Sequence, residues 1–181
     1  RVGAAVRVVR EEIPDGTPGV RVKLARLRRL VDEAKADPSI RAIALRLVAG
    51  VPERDWTGEL AAVSNYVRRL RYTRDPNGVE LFTDPRLLAG AIERGSAAAA
   101  GDCDDHVALG SALLESIGHR TRFRVGGFRT PGGEQWAHIW SEVLHPTLGT
   151  WTAVDDTAKM QPLGWSPASR FETTMADLGD L

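Results

Sequence analysis

The chain has 181 residues, 43% of them hydrophobic and 27% charged, and its 24 Lys and Arg balance 24 Asp and Glu at a formal net charge of zero. That is the composition of an ordinary globular domain long enough for a full core, with no apolar run approaching the ~20 residues of a membrane span. Zero net charge gives nucleic-acid binding no general support, and a single cysteine cannot form an internal disulfide. The neutrality hides an asymmetry: residues 1–74 hold 16 Lys and Arg against 9 Asp and Glu, and residues 75–181 hold 8 against 15. Solvated helix faces, and pairing between a basic first part and an acidic second, are the simplest reading of it.

Residues 1–20 are expected to form a tail or docking segment, with a short strand around Val6, Val8 and Val9 and a turn or loop from Pro14 to Gly19. From Val22 to Ala36, Leu24, Leu27, Val31 and Ala34 recur at helical spacing. Asp37-Pro38 reads as N-cap plus proline at the first helical position, opening a helix with Ile40, Ile43, Ala44, Leu47 and Val48 inward and Gly50 at its end. A third helix, from about Thr57 to Arg71, carries Leu60, Val63, Val67 and Leu70 on one face. Residues 21–71 thus form a helical extension ahead of a core spanning 72–181.

Arg71 to Arg74 reads as briefly extended, and Asp75-Pro76-Asn77-Gly78 is a turn. Asp84-Pro85 repeats the cap-plus-proline device before a short helix with Leu87, Leu88 and Ile92. Gly95 to Gly101 is a loop of small residues leading into Asp102, an N-cap, and a helix holding the lone Cys103 on its first turn, with Gly118 as its stop. A thiol there lies at the positive end of the backbone dipole, which favours thiolate. The flanking Asp102, Asp104 and Asp105 oppose that unless their carboxylates point away. After Gly118 the pattern alternates, giving strands at Thr121–Phe128, Gln135–Leu144 and Thr150–Val154. Helices first and an antiparallel sheet last make an α+β fold.

Period two places Trp136, His138, Trp140 and Glu142 on one strand face, an apolar wall around an imidazole. If that strand pairs with the next as a hairpin, Asp155 reaches His138, with the start of the Cys103 helix packed against the same spot. A thiol at a helix start, an imidazole to take its proton and a carboxylate to fix the ring is the order that nucleophilic catalysis wants. A metal site among Asp102 to His106 is the weaker reading, because adjacent residues at one helix start cannot all converge on an ion.

Gly101-x-Cys103, the helix ending Leu113-Leu114-x-x-x-Ile117-Gly118, Arg122-Phe123, Ala137-His138-Ile139-Trp140-x-Glu142-Val143 and Trp151-x-x-Val154-Asp155-x-Thr157 together resemble the transglutaminase-like superfamily. Arg71-Tyr72-x-x-Asp75-Pro76, Glu80 and Gly101-Asp102-Cys103-Asp104-Asp105 are similar to the variants encoded by bacteriophages and prophages. The resemblance implies a papain-like core, a nucleophile helix on an antiparallel sheet, with Cys103 as nucleophile, His138 as general base and acid, and Asp155 orienting the imidazole. Asp156 stands where proline is frequent in relatives, which leaves the choice of aspartate between the two; Asp155 keeps the register. The resemblance also implies thioester chemistry on a peptide or protein amide, with hydrolysis the expected outcome and lysine cross-linking the rival one. A non-catalytic part of a virion or other assembly is the alternative outside enzymes, in which case other virion proteins are the partners. No cofactor, bound metal or membrane is expected, and the location expected is the host cytoplasm or the virion. The backbone N–H of Cys103 and a second donor, with Tyr72 as candidate, would hold an oxyanion.

Overall fold

The computed structural model describes residues 12–76, 79–130, 133–167 and 171–174; the expected strand around Val6 lies outside them. Five helices precede and surround the sheet: α1 (Gly16–Lys35), α2 (Pro38–Val48), α3 (Trp56–Val67), α4 (Pro85–Glu93) and α5 (Cys103–Ser116). The strands are β1 (Arg71–Tyr72), β2 (Ala100–Gly101), β3 (Thr121–Thr130), β4 (Gly133–Leu144), β5 (Trp151–Val154) and β6 (Phe171–Thr174). β3 to β6 form one antiparallel sheet in the order β5-β4-β3-β6, and β1 pairs with β2 in parallel.

The helix starts follow their caps. Asp37 accepts the N–H of Ser39, Asp55 that of Gly58, Asp84 that of Arg86 and Asp102 that of Asp104, each satisfying a donor the helix itself cannot. Gly118, with φ at +103°, follows the last turn of α5 where an L side chain would be strained.

Three expectations change. α1 begins at Gly16, so the Pro14–Gly19 turn is instead the first turn of a helix; Pro18 is tolerated there because its missing N–H has no partner in a first turn. α3 ends at Val67, four residues short of Arg71, which is already paired in β1. The small-residue loop ends in two residues of strand, Ala100 and Gly101, opposite Arg71 and Tyr72.

α5 is the centre of the molecule. Leu109, Ala112 and Leu113 are fully buried, and the helix packs against α1, α2, α3, α4, β3 and β4. One core cluster runs through Leu27 and Val31 of α1, Ile40 of α2, Leu60 and Val67 of α3, Leu88 of α4, and Phe123 and Val143 of the sheet. The hydroxyls of Ser111 and Ser141 hydrogen-bond at 2.9 Å inside this helix–sheet interface, so burying both leaves neither unsatisfied. At the far end of α5, Glu115 accepts both guanidinium NH groups of Arg28 at 2.8 Å and the ammonium of Lys35 at 2.9 Å. That joins the basic first part of the chain to the acidic second. No helix among the described residues is long and apolar enough to cross a membrane.

Candidate active site

Cys103 is the first residue of α5, and the Ile139 backbone N–H of β4 donates toward its sulfur. Ile139 follows His138, so the start of α5 sits against the stretch of β4 that carries the imidazole. β4 and β5 pair in the register Ser141↔Val154 and Leu144↔Trp151, which carries Asp155, just past β5, alongside the upper part of β4. The ring Nε2 of His138 lies 2.8 Å from Asp155 Oδ2. The other oxygen, Oδ1, accepts from the Thr157 N–H at 3.1 Å and from its hydroxyl at 2.6 Å. The imidazole and these donors hold the buried carboxyl below its ordinary range, against the opposing effect of burial. Asp156 points elsewhere, to the Ser64 hydroxyl of α3.

The tryptophan wall is half as expected. Trp140 stacks on His138 at 6.0 Å between centroids. Trp136 packs on the main core, because a bulge interrupts the alternation: Gly126 faces His138 and Gly127 faces Trp136, leaving Ala137 as the extra residue.

Between the helix dipole that favours thiolate and the aspartates that oppose it, the thiol sides with the aspartates. Burial first, then the charges of Asp102 and Asp104, push Cys103 up to about 12, and the hydrogen bond from Ile139 offsets only part of that. At neutral pH the thiol keeps its proton until a base removes it.

Asp104 is buried with its Oδ1 lacking any hydrogen-bond partner, and burial beside Asp102 and Asp105 pushes it up to about 10. Asp105, raised to about 7, accepts the Thr83 N–H at 2.9 Å and so ties α5 to the segment ahead of α4. One oxygen from each of Asp102, Asp104 and Asp105 lies within 4.8 Å of the others. Three of the five residues from Asp102 to His106 thus come together, and Cys103 and His106 stay outside the set, as adjacency at one helix start requires. An all-oxygen set with an orphaned carboxylate oxygen suits a hard cation rather than zinc. His106 is not part of it: its Nδ1 donates to the Asp102 carbonyl at 2.6 Å, and the buried ring is held neutral by desolvation. Tyr72, the candidate second donor, is exposed, with its ring 6.2 Å from that of His106.

A helix that starts on a thiol and packs on an antiparallel sheet bearing an imidazole–carboxylate pair is the papain-like layout of an α+β protein. The chain belongs to the transglutaminase-like superfamily, whose core model matches residues 41–156. No curated protein matches the chain. Among solved structures it is similar to a candidate cysteine protease from Cytophaga hutchinsonii, at 19% identity and a TM-score of 0.48, over 66% of this chain and 37% of that one. It is also similar to Legionella pneumophila LapG, at 15% identity and a TM-score of 0.44, over 76% and 80% of the two chains. Calcium-bound LapG from the same organism matches at 17% identity and a TM-score of 0.38, over 83% and 74%. The chain thus spans little more than a third of the first of these structures.

Proposed function

We propose that the protein is a cysteine-dependent acyl-transfer enzyme acting on peptide or protein amides, and that water is its usual acceptor. The observation that carries this reading is the 2.8 Å contact between His138 Nε2 and Asp155 Oδ2, with His138 on β4, a strand against which the thiol-bearing helix α5 packs. In the proposed cycle His138 removes the proton of Cys103 as the sulfur attacks the amide carbonyl. The imidazolium then hands that proton to the leaving nitrogen, giving an amine or ammonia and a thioester. Water, deprotonated by the same imidazole, resolves the thioester to a carboxylic acid and regenerates the thiol. Asp155 holds the ring and stabilises its charged form, and the Cys103 N–H on the first helical turn is the donor proposed for the developing oxyanion. A thiol pushed up to about 12 makes the base necessary rather than helpful.

The carboxylates beside the thiol favour one second reading, a lysine amine as acceptor, since they would draw an ammonium group to the site. Incubation with glutamine-containing peptides, with and without a labelled primary amine, tests both. Released ammonia or cleaved peptide that disappears in Cys103→Ala and His138→Ala supports hydrolysis, and amine incorporation supports cross-linking. Neither product, together with a Cys103 alkylation rate that ignores His138→Ala, would leave the non-catalytic module as the reading.

A further inference from the structure

At the end of β5 two neighbouring aspartates leave the chain in opposite directions. Asp155 turns to His138 of the sheet. Asp156 turns to the helices: its Oδ1 accepts from the Ser64 hydroxyl of α3 and lies 3.5 Å from Nε of Arg68. A β-carbon placed on Gly110 of α5 would stand 3.3 Å from Asp156 Oδ2, so α5 presents bare backbone where this carboxyl seats. The same Arg68 donates through its two NH groups to the carbonyls of Lys159 at 3.1 Å and Gln161 at 3.0 Å. Lys159 in turn donates to the carbonyl of Leu70 at 2.6 Å.

We propose that Asp156 is a positioning residue for the His138–Asp155 pair, fastening the end of β5 to α3 and α5 so that Asp155 is presented to the imidazole; the catalytic part of this rests on the function proposed above. A fully buried carboxyl is a poor choice for stability alone. Burial pushes Asp156 up to about 6 despite Ser64 and Arg68, and well-packed apolar replacements of buried charges are often neutral or stabilising. What the carboxyl supplies is a directed anchor that an apolar side chain lacks. The leverage is short, since adjacent Cα atoms stand ~3.8 Å apart. A displacement of about 1 Å at a catalytic group can cost on the order of 10²-fold in rate.

The test uses the full chain with histidines labelled for NMR and two readouts. The first is the exchange-protected imidazole N–H signal of His138, assigned by its loss in Asp155→Ala. The second is the rate of Cys103 alkylation by iodoacetamide at pH 7. Asp156→Ala is expected to lose the His138 signal and to slow alkylation at least tenfold while far-UV circular dichroism stays native. Asp156→Asn, which still accepts from Ser64, is expected to recover most of both, and Ser64→Ala to fall between. A native signal and rate in Asp156→Ala overturn the proposal, as does a loss of thermal stability unaccompanied by change in either readout. If Asp156→Ala does not fold, Ser64→Ala decides by the same two readouts, and wild-type values there overturn it. Should His138→Ala alkylate as fast as the wild type, the catalytic reading fails, while the His138 signal still decides whether Asp156 positions Asp155.

Discussion

A β-carbon on Gly101 would stand 2.3 Å from Oδ2 of Asp105 and 2.5 Å from its Cβ. The strand that precedes Cys103 and the first turn of α5 therefore close on each other at a distance only glycine permits. The clash involves the root of the Asp105 side chain as well as its tip, so no simple rotamer change relieves it. Gly101→Ala is expected to cost about 2–3 kcal/mol as overpacking and to lower the melting temperature by roughly 5–10 °C. Gly118→Ala, where nothing lies within 4 Å and only the left-handed φ is strained, is the comparison; it should cost about 1 kcal/mol. Thermal melts of the two variants rank them, and equal losses would contradict this account of Gly101.

Asp104 makes a prediction with a definite sign. Its carboxyl titrates near 10 in the folded chain against 3.8 when unperturbed, so the folded state holds a proton the unfolded state has released. Stability from this group is therefore untouched below about pH 4 and declines as pH rises toward 10. Asp105, at about 7, and Asp156, at about 6, add to the decline over narrower windows. Asp104→Asn removes the largest part, so urea denaturation at pH 5, 7 and 9 should show a flatter profile than the wild type. The variant should gain most at pH 9. A profile parallel to the wild type would refute the assignment.

Glu115 carries a different kind of burden. Its side chain is 10% exposed and accepts from Arg28, Lys35 and the Thr121 hydroxyl. Truncation takes the bidentate partner from the part-buried Arg28 guanidinium, which keeps Asp32, so the loss should be about 2 kcal/mol, below the ~3–5 kcal/mol of a fully buried pair. The outer pair of Arg29 with Glu33, 4.0 Å apart and exposed on both sides, should lose less than about 1 kcal/mol on Glu33→Ala. Chemical denaturation of Glu115→Ala and Glu33→Ala measures both, and a similar small loss in each would show that the inner network does not stabilise the fold.

The thiol gives a kinetic prediction. With His138→Ala, Cys103 has no base and should alkylate as a thiol that ionises near pH 12, its rate climbing about tenfold per pH unit from 7 to 10. The wild type should react faster at pH 7 and climb less steeply. Asp104→Asn on the His138→Ala background should raise the rate throughout, because one opposing carboxyl is gone. Iodoacetamide kinetics across that range measure all three, and superimposable curves would refute the role given to the base.

Much of this was legible in the residues. Asp37-Pro38, Asp84-Pro85 and the Asp102 cap are local devices, and they marked α2, α4 and α5 correctly. Alternation gave β4 and β5 as strands, and their pairing, the condition on which the reach of Asp155 to His138 was expected, is met. What escaped depends on tertiary surroundings. β6 is four residues long and pairs with β3 from more than forty residues away, leaving no periodic signal. The bulge at Ala137 is a property of hydrogen-bond register between two strands. The aspartates that oppose ionisation of the thiol were readable beside it, but the burial that adds most to their effect was not, because depth beneath neighbouring chain has no local signal. Nor could the Ile139 amide be read as a partner of the thiol, since a backbone donor has no sequence signature.

The central place of α5 has a consequence for how the chain is made. Synthesis runs from the N-terminus, so α1, α2 and α3 leave the ribosome before the helix they cover has been translated. Their stripes at Leu27, Ile40 and Leu60 have only one another and Leu88 of α4 to pack on until residues 103–116 arrive, and the sheet that closes the other side comes later still. The nascent chain must carry four amphipathic helices with an unfilled centre, and the helix that fills it brings the thiol.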